Sequence, residues 1–177
     1  MPIYEFEGKR PVIGDGCFIH PQAVLIGSVE IGNNCYIGAG SVIRGDVGKI
    51  IIGAGCSIQD NSVIHVDPDT LVIIEDFVLI GHSAIVHGPC LIKQHAVIGM
   101  GAIVSINCEI EAESLLGAGS LLPPGQVINY RKMALGNPAK TVRELSNEQV
   151  LAFQSGIREY GQLVNRSIST MKLIDTK

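Results

Sequence analysis

The chain has 177 residues and a formal charge of −4, a length that suits one domain with an appendage. Hydrophobic residues make up 46% but aromatic residues only 5%, and Trp is absent, so the core is aliphatic and thin rather than built on large rings. No block of like charge points to a nucleic acid or an anionic membrane as partner. The start, Met1-Pro2-Ile3-Tyr4-Glu5, lacks the basic and apolar regions of a signal peptide, and no apolar run reaches membrane-spanning length. These features predict a cytoplasmic protein.

Residues 1–12 read as a lead-in. From Ile13 onward one aliphatic residue stands in every six: Ile13, Ile19, Leu25, Ile31, Ile37 and Ile43. After three extra residues come Ile52, Ile58 and Ile64. After four more come Ile74, Ile80, Val86, Ile92, Ile98, Val104, Ile110, Leu116, Leu122 and Ile128. A six-residue period is neither helical nor a simple strand alternation. It marks short strands that turn a corner every six residues, as in an all-β solenoid, a parallel β-helix of hexapeptide repeats. Four residues after each aliphatic stands a small or slender residue, suited to the crowded centre of a triangular prism. All five cysteines, Cys17, Cys35, Cys56, Cys90 and Cys108, occupy this inward position. With an odd count and no CxxC spacing, they read as buried free thiols rather than ligands or disulfides. Glycine often follows the aliphatic, which predicts left-handed corner backbone or close packing.

Three hexads make one coil, so about six coils are expected over residues 13–133. The two phase breaks, within residues 44–51 and 65–73, predict bulging corners. The second contains Asp67-Pro68-Asp69, a turn composition. Residues 135–140 read as a hinge after the solenoid (1–133), and a helical appendage occupies residues 134–177. Ser146 and Gln149 form a capping-box signature, with Leu145 and Val150 as a hydrophobic staple. Val150, Phe153, Ile157, Tyr160, Val164, Ile168 and Met171 form one stripe that should pack on the prism.

The repeat gives each residue an address. Arg44, His65 and His87 follow the aliphatics of hexads six, nine and twelve, so they should stack in a ladder about 4.8 Å apart per rung. Two imidazoles one rung apart can share a metal. The third candidate, His82, belongs to hexad eleven, on another face, and should not reach that ladder within one chain. A threefold axis could bring a neighbour's His82 to it, which predicts a homotrimer with one site per interface. Asp60 lies one coil below His82. His20 and His95 read as incidental surface residues.

The segments Ser41-Val42-Ile43-Arg44-Gly45-Asp46, Ser57-Ile58-Gln59-Asp60-Asn61, Val63-Ile64-His65 and Gly81-His82-Ser83-Ala84-Ile85-Val86-His87-Gly88 together resemble the gamma-class carbonic anhydrase family. Ile98-Gly99-Met100-Gly101-Ala102 and Gly136-Asn137-Pro138-Ala139-Lys140 also resemble it. The resemblance implies a left-handed β-helix, a hand that the general crossover rule would not favour. It implies three histidine ligands, His65, His82 and His87, for zinc, or for iron or cobalt. It further implies an Arg44–Asp46 interface ion pair and a Gln59 that orients the reacting water. The implied reaction is metal-assisted hydration of carbon dioxide to bicarbonate. The sequence departs from the best-known type in two places. Val47 stands where an acidic residue follows the Asp, and only sixteen residues separate His65 from His82, as in the short-loop subgroup. Tyr130 is placed near the site.

Three alternatives stay open. Hexapeptide acyltransferases share the prism. The segment from Arg158 to Val164 resembles the phenylacetate-degradation member of the group, which resembles a thioesterase for CoA esters. A non-catalytic metal-binding trimer is the third.

Overall fold

The structure is a computed structural model and describes residues 2–174. It is a parallel β-solenoid of about seven turns, followed by one helix. One face carries Leu25, Ile43, Ile64, Val86, Val104 and Leu122 inward. The chain then turns to a second face with Ile31, Ile52, Ile74, Ile92, Ile110 and Ile128, and to a third with Ile37, Ile58, Ile80, Ile98 and Leu116. All of these are buried, whereas Ile13 and Ile19, in the first coil, are only partly covered. Burying such side chains stabilises the fold by roughly 1.5–3 kcal/mol each before the entropy of ordering is subtracted.

The expected six coils become seven because the pattern reaches beyond its aliphatic markers. Ile3–Tyr4, in the lead-in, pairs with Leu25–Ile26 as a further rung. At the other end, Lys132–Gly136 adds a parallel rung to the third face. Residues 135–140 are not a hinge. They close a hairpin in which Ala139–Glu144 returns antiparallel along Lys132–Gly136.

The first phase break also differs from a simple corner. The strand Val42–Ile52 runs through it unbroken, as does Val24–Ile31 below, so the first and second faces belong to one sheet. The register shifts between Gly27 and Val29, and the extra residues after Gly45 bulge from the sheet. The second break is the turn that the composition predicts, with Asp69 left-handed and Thr70 bonded back to the Asp67 carbonyl. The glycines after the aliphatics serve close packing. A Cβ on Gly81 would lie 2.7 Å from the Met100 nitrogen of the next coil. Left-handed backbone falls further along the corners, at residues such as Asn34, Asn61 and Ser83.

Helix α1 spans Asn147–Thr170, and Ser146 and Gln149 form the full capping box. Leu145, Val150, Ile157 and Val164 are buried. The helix lies on the third face, over Phe18–Ile19, Tyr36–Ile37 and Ser57–Ile58. Ile168 and Met171, expected in the same stripe, are about half exposed. Among the described residues no rung of the third face precedes Phe18–Ile19, so the end of the helix has little to pack against.

Candidate metal centre

Arg44, His65 and His87 occupy successive rungs in exact register, Arg44 opposite His65 and His65 opposite His87. They sit at the corner between the first and second faces, where both phase breaks lie. The bulge after the first break carries Asp46, whose Oδ1 is 3.1 Å from His65 Nε2 and whose Oδ2 accepts from Arg44 at 2.5 Å. Burial works to raise the Asp46 carboxyl, but the bonds from Arg44 and His65 outweigh it and hold the group below its usual range. The turn after the second break carries Asp67, with Oδ1 3.8 Å from His87 Nε2. Each histidine of the ladder thus has its own carboxylate, and each carboxylate comes from an interruption of the hexad phase.

His65 Nδ1 lies 3.4 Å from His87 Nε2, and the rings are tilted by 59°. Two nitrogens that share one tetrahedral cation at about 2.0–2.1 Å would stand roughly 3.3–3.4 Å apart. The pair therefore fits two of the ligands of such an ion. Among the described residues, no group of three His, Cys, Asp or Glu side chains in one chain could hold a metal.

His82 lies at the opposite end of the strand Ile85–Gly88, at the corner between the third and first faces. Its Nδ1 is 3.2 Å from Asp60 Oδ2, and its backbone N–H donates to Gln59 Oε1 at 3.1 Å. The other Asp60 oxygen accepts the Ala39 N–H at 2.8 Å. His87 lies five positions after His82, so an extended chain spans up to about 17 Å between them. Gln59 and Asp60 therefore accompany His82 and not the His65–His87 pair. Tyr130 joins neither group. It is exposed at the third corner, and its hydroxyl donates to Glu113 at 3.1 Å. The Arg44–Asp46 pair forms within one chain. His20 accepts the Gln22 N–H, and His95 stacks on Phe77, both away from the ladder.

Beside His82 opens a groove of about 440 Å³, lined by Gln59, Leu79, Val97, Met100, Leu115 and Tyr160 among others. Tyr160 belongs both to the packing stripe and to the Arg158–Val164 segment. The helix carries it against Tyr36, with ring centroids 5.3 Å apart, and so to the wall of this groove. No helix of the described residues is long and apolar enough to cross a membrane.

Comparison with known proteins agrees with this architecture. Residues 10–45 match the bacterial transferase hexapeptide repeat, and residues 28–65 and 71–105 match the hexapeptide repeat of succinyl-transferase. The chain is 39% identical to carnitine operon protein CaiE of Escherichia coli K12 over 166 residues, 94% of this chain and 84% of CaiE. A hexapeptide transferase family protein from Anaplasma phagocytophilum superposes with a TM-score of 0.88 at 39% identity, covering 93% of this chain and 97% of that one. A perosamine N-acetyltransferase from Caulobacter crescentus, solved with CoA and GDP-perosamine, gives a TM-score of 0.62 at 25% identity over 72% of this chain and 57% of its own. The chain belongs to the hexapeptide-repeat transferase family and is a CaiE-like member of it.

Proposed function

We propose that three copies assemble about a threefold axis and that His65 and His87 of one copy, with His82 of the next, hold a divalent cation for the hydration of carbon dioxide. Zinc is the first choice, with iron or cobalt as alternatives. The observation that carries this reading is the 3.4 Å separation of the His65 and His87 nitrogens, with the remaining histidine at the far end of the same strand. The outer surface of the first face supports an interface between copies. Val24, Val42, Val63, Ile85, Ile103 and Leu121 form an in-register aliphatic column there, and Ile85 and Ile103 are 40% and 37% exposed. That column lies between the two histidine corners.

A divalent cation held by imidazoles lowers the pKa of a water it binds towards neutrality. The chain supplies the rest. Asp46, against His65 Nε2, orients that ring and leaves its Nδ1 free. Asp60, against His82 Nδ1, orients the His82 ring. Gln59 is nearly buried and spends its carbonyl on the His82 backbone, so its amide N–H groups remain to hold a substrate oxygen at the groove. Val47 offers no proton acceptor, whereas the half-exposed Asp67 lies between His87 and solvent.

The volume of the groove favours a second reading. About 440 Å³ is within the range of sites for drug-sized ligands and is more than carbon dioxide needs. Hydrolysis of a CoA thioester by the same site would use that space.

Elemental analysis of the purified protein, with carbon dioxide hydration and CoA-thioester assays on the same sample, tests both readings. About one divalent metal per chain is expected, with activity proportional to metal content. Full activity in metal-free protein would contradict both.

A further inference from the structure

A second cavity, of about 290 Å³, lies at the corner between the second and third faces, where helix α1 runs alongside the prism. This corner touches neither end of the first face, so the proposed trimer leaves it free. The cavity takes three residues, Arg158, Gly161 and Gln162, from the helical segment singled out in the sequence, and the metal site uses none of them.

Its inner wall is apolar. Ile157 is buried there, and the partly exposed Phe77 lines it. Phe77 is unusual: it holds φ +57° at a corner and remains 41% exposed. Other left-handed positions carry Gly or polar side chains, His95, Glu113 and Arg131 along this same corner among them, so Phe77 is the one apolar side chain on this backbone among the described residues. Its ring lies across Gly55, where a Cβ would stand 2.5 Å from the ring, and stacks on His95 at 5.3 Å. The ring is thereby held between the coils below and above it.

The outer wall is polar. Arg158 is exposed and joins none of the ion pairs among the described residues. Gln162 and Asn165 stand one turn and two turns further along the same helix edge, and Asn34 faces them from the prism. Gly161 holds the space between the walls open. It lies inside the helix, where glycine is unfavourable, yet a Cβ there would meet nothing within 4 Å. Packing therefore does not require glycine at this position, and a larger side chain would occupy the cavity.

We propose that this cavity binds a small carboxylate with a compact apolar body, its anionic end on Arg158 and the neighbouring amides and its body against Phe77 and Ile157. The ligand is an anion because Arg158, which has no ion pair among the described residues, stands among neutral donors. It is compact because the cavity, at about 290 Å³, stands at the lower end of the range for drug-sized ligands.

Benzoate is a suitable probe, with neutral benzamide as its isostere. Calorimetric titration of the whole protein, both as purified and after metal removal, should show saturable benzoate binding that is the same in both forms and much weaker for benzamide. Arg158→Gln should weaken benzoate by about tenfold or more, the effect of losing one charge-assisted contact. Gly161→Leu should abolish binding while Tm stays the same or rises. Equal binding of benzamide, no saturable binding of benzoate, or binding that survives Gly161→Leu would overturn the proposal. So would binding that disappears with the metal, which would place benzoate at the histidines. None of these results depends on whether the protein hydrates carbon dioxide.

Discussion

The two corners that bound the first face are built in opposite ways. At the corner of His82 the six-residue phase is perfect. Gln59 and Asp60 simply occupy one rung and His82 the next, and the partners of His82 follow from the repeat. At the corner of His65 and His87 the phase is broken twice, and the two insertions deliver Asp46 and Asp67 to the two rings. A regular solenoid can stack identical addresses, but it cannot bring a carboxylate to the distal nitrogen of a side chain already on the ladder. Extra residues can, because a bulge or turn swings its side chains away from the sheet. The regular corner thus carries one histidine with Asp60 from the rung below, and the irregular corner carries two histidines with acids from the two insertions.

The largest effect should come from the core behind each corner, because both rest on the same stack. Ile64 and Ile80 are fully buried behind His65 and His82. Either Ile→Ala change should cost about 2–5 kcal/mol, measured by denaturant unfolding. A cost below 1 kcal/mol at one corner only would show that the two are not supported alike.

The next effect sharpens the contrast between the corners. Asp46→Ala and Asp60→Ala should each weaken metal affinity by about 10–100-fold, as loss of a ligand's orienting partner does elsewhere. Competition with a chromophoric chelator measures this. If Asp46→Ala binds metal as well as the unaltered protein, the broken phase serves the turn alone and not the site.

The smallest effect is expected inside the prism, midway between the corners. Cys35, Cys56, Cys90 and Cys108 are buried and free, and burial pushes the Cys90 thiol up to about 12 and raises Cys108 as well. A thiol reagent at pH 8 should label at most Cys17, the one partly exposed cysteine, until the protein is unfolded. Rapid modification of two or more thiols in the native protein would refute the inward placement.

Much of this architecture follows from the sequence alone. The repeat gives each inward aliphatic an address, so the Arg44–His65–His87 ladder and the separation of His82 follow from counting. The capping box at Ser146 is equally local. Counting fails where the marker changes. Ile3 and Ala134 extend the prism by pairing, yet Ala134 is not an aliphatic of the series and Ile3 falls outside its spacing. The hairpin at residues 135–140 reads as a hinge because its partner strand, Ala139–Glu144, is largely exposed and carries no apolar period. Asp46 and Asp67 lie in the insertions, where hexad addresses lapse, so their partners among the ring nitrogens could not be assigned. Tyr160 depends on where the helix docks, which a stripe of apolar residues does not specify. Tyr130, placed near the site by resemblance, lies at the wrong corner.

The central claim is that the metal centre is divided between copies, and mixed trimers test it most directly. A chain with His82→Ala keeps an intact His65–His87 pair, and a chain with His65→Ala and His87→Ala keeps an intact His82. Each alone should form trimers that hold almost no metal. Refolded together, they should regain metal, because some interfaces then join a good pair to a good His82. Metal content of the isolated mixed trimers, measured by elemental analysis, should rise clearly above that of either parent. Mixed trimers that form and hold no more metal than their parents, or metal-loaded monomers of the unaltered chain, would contradict the account.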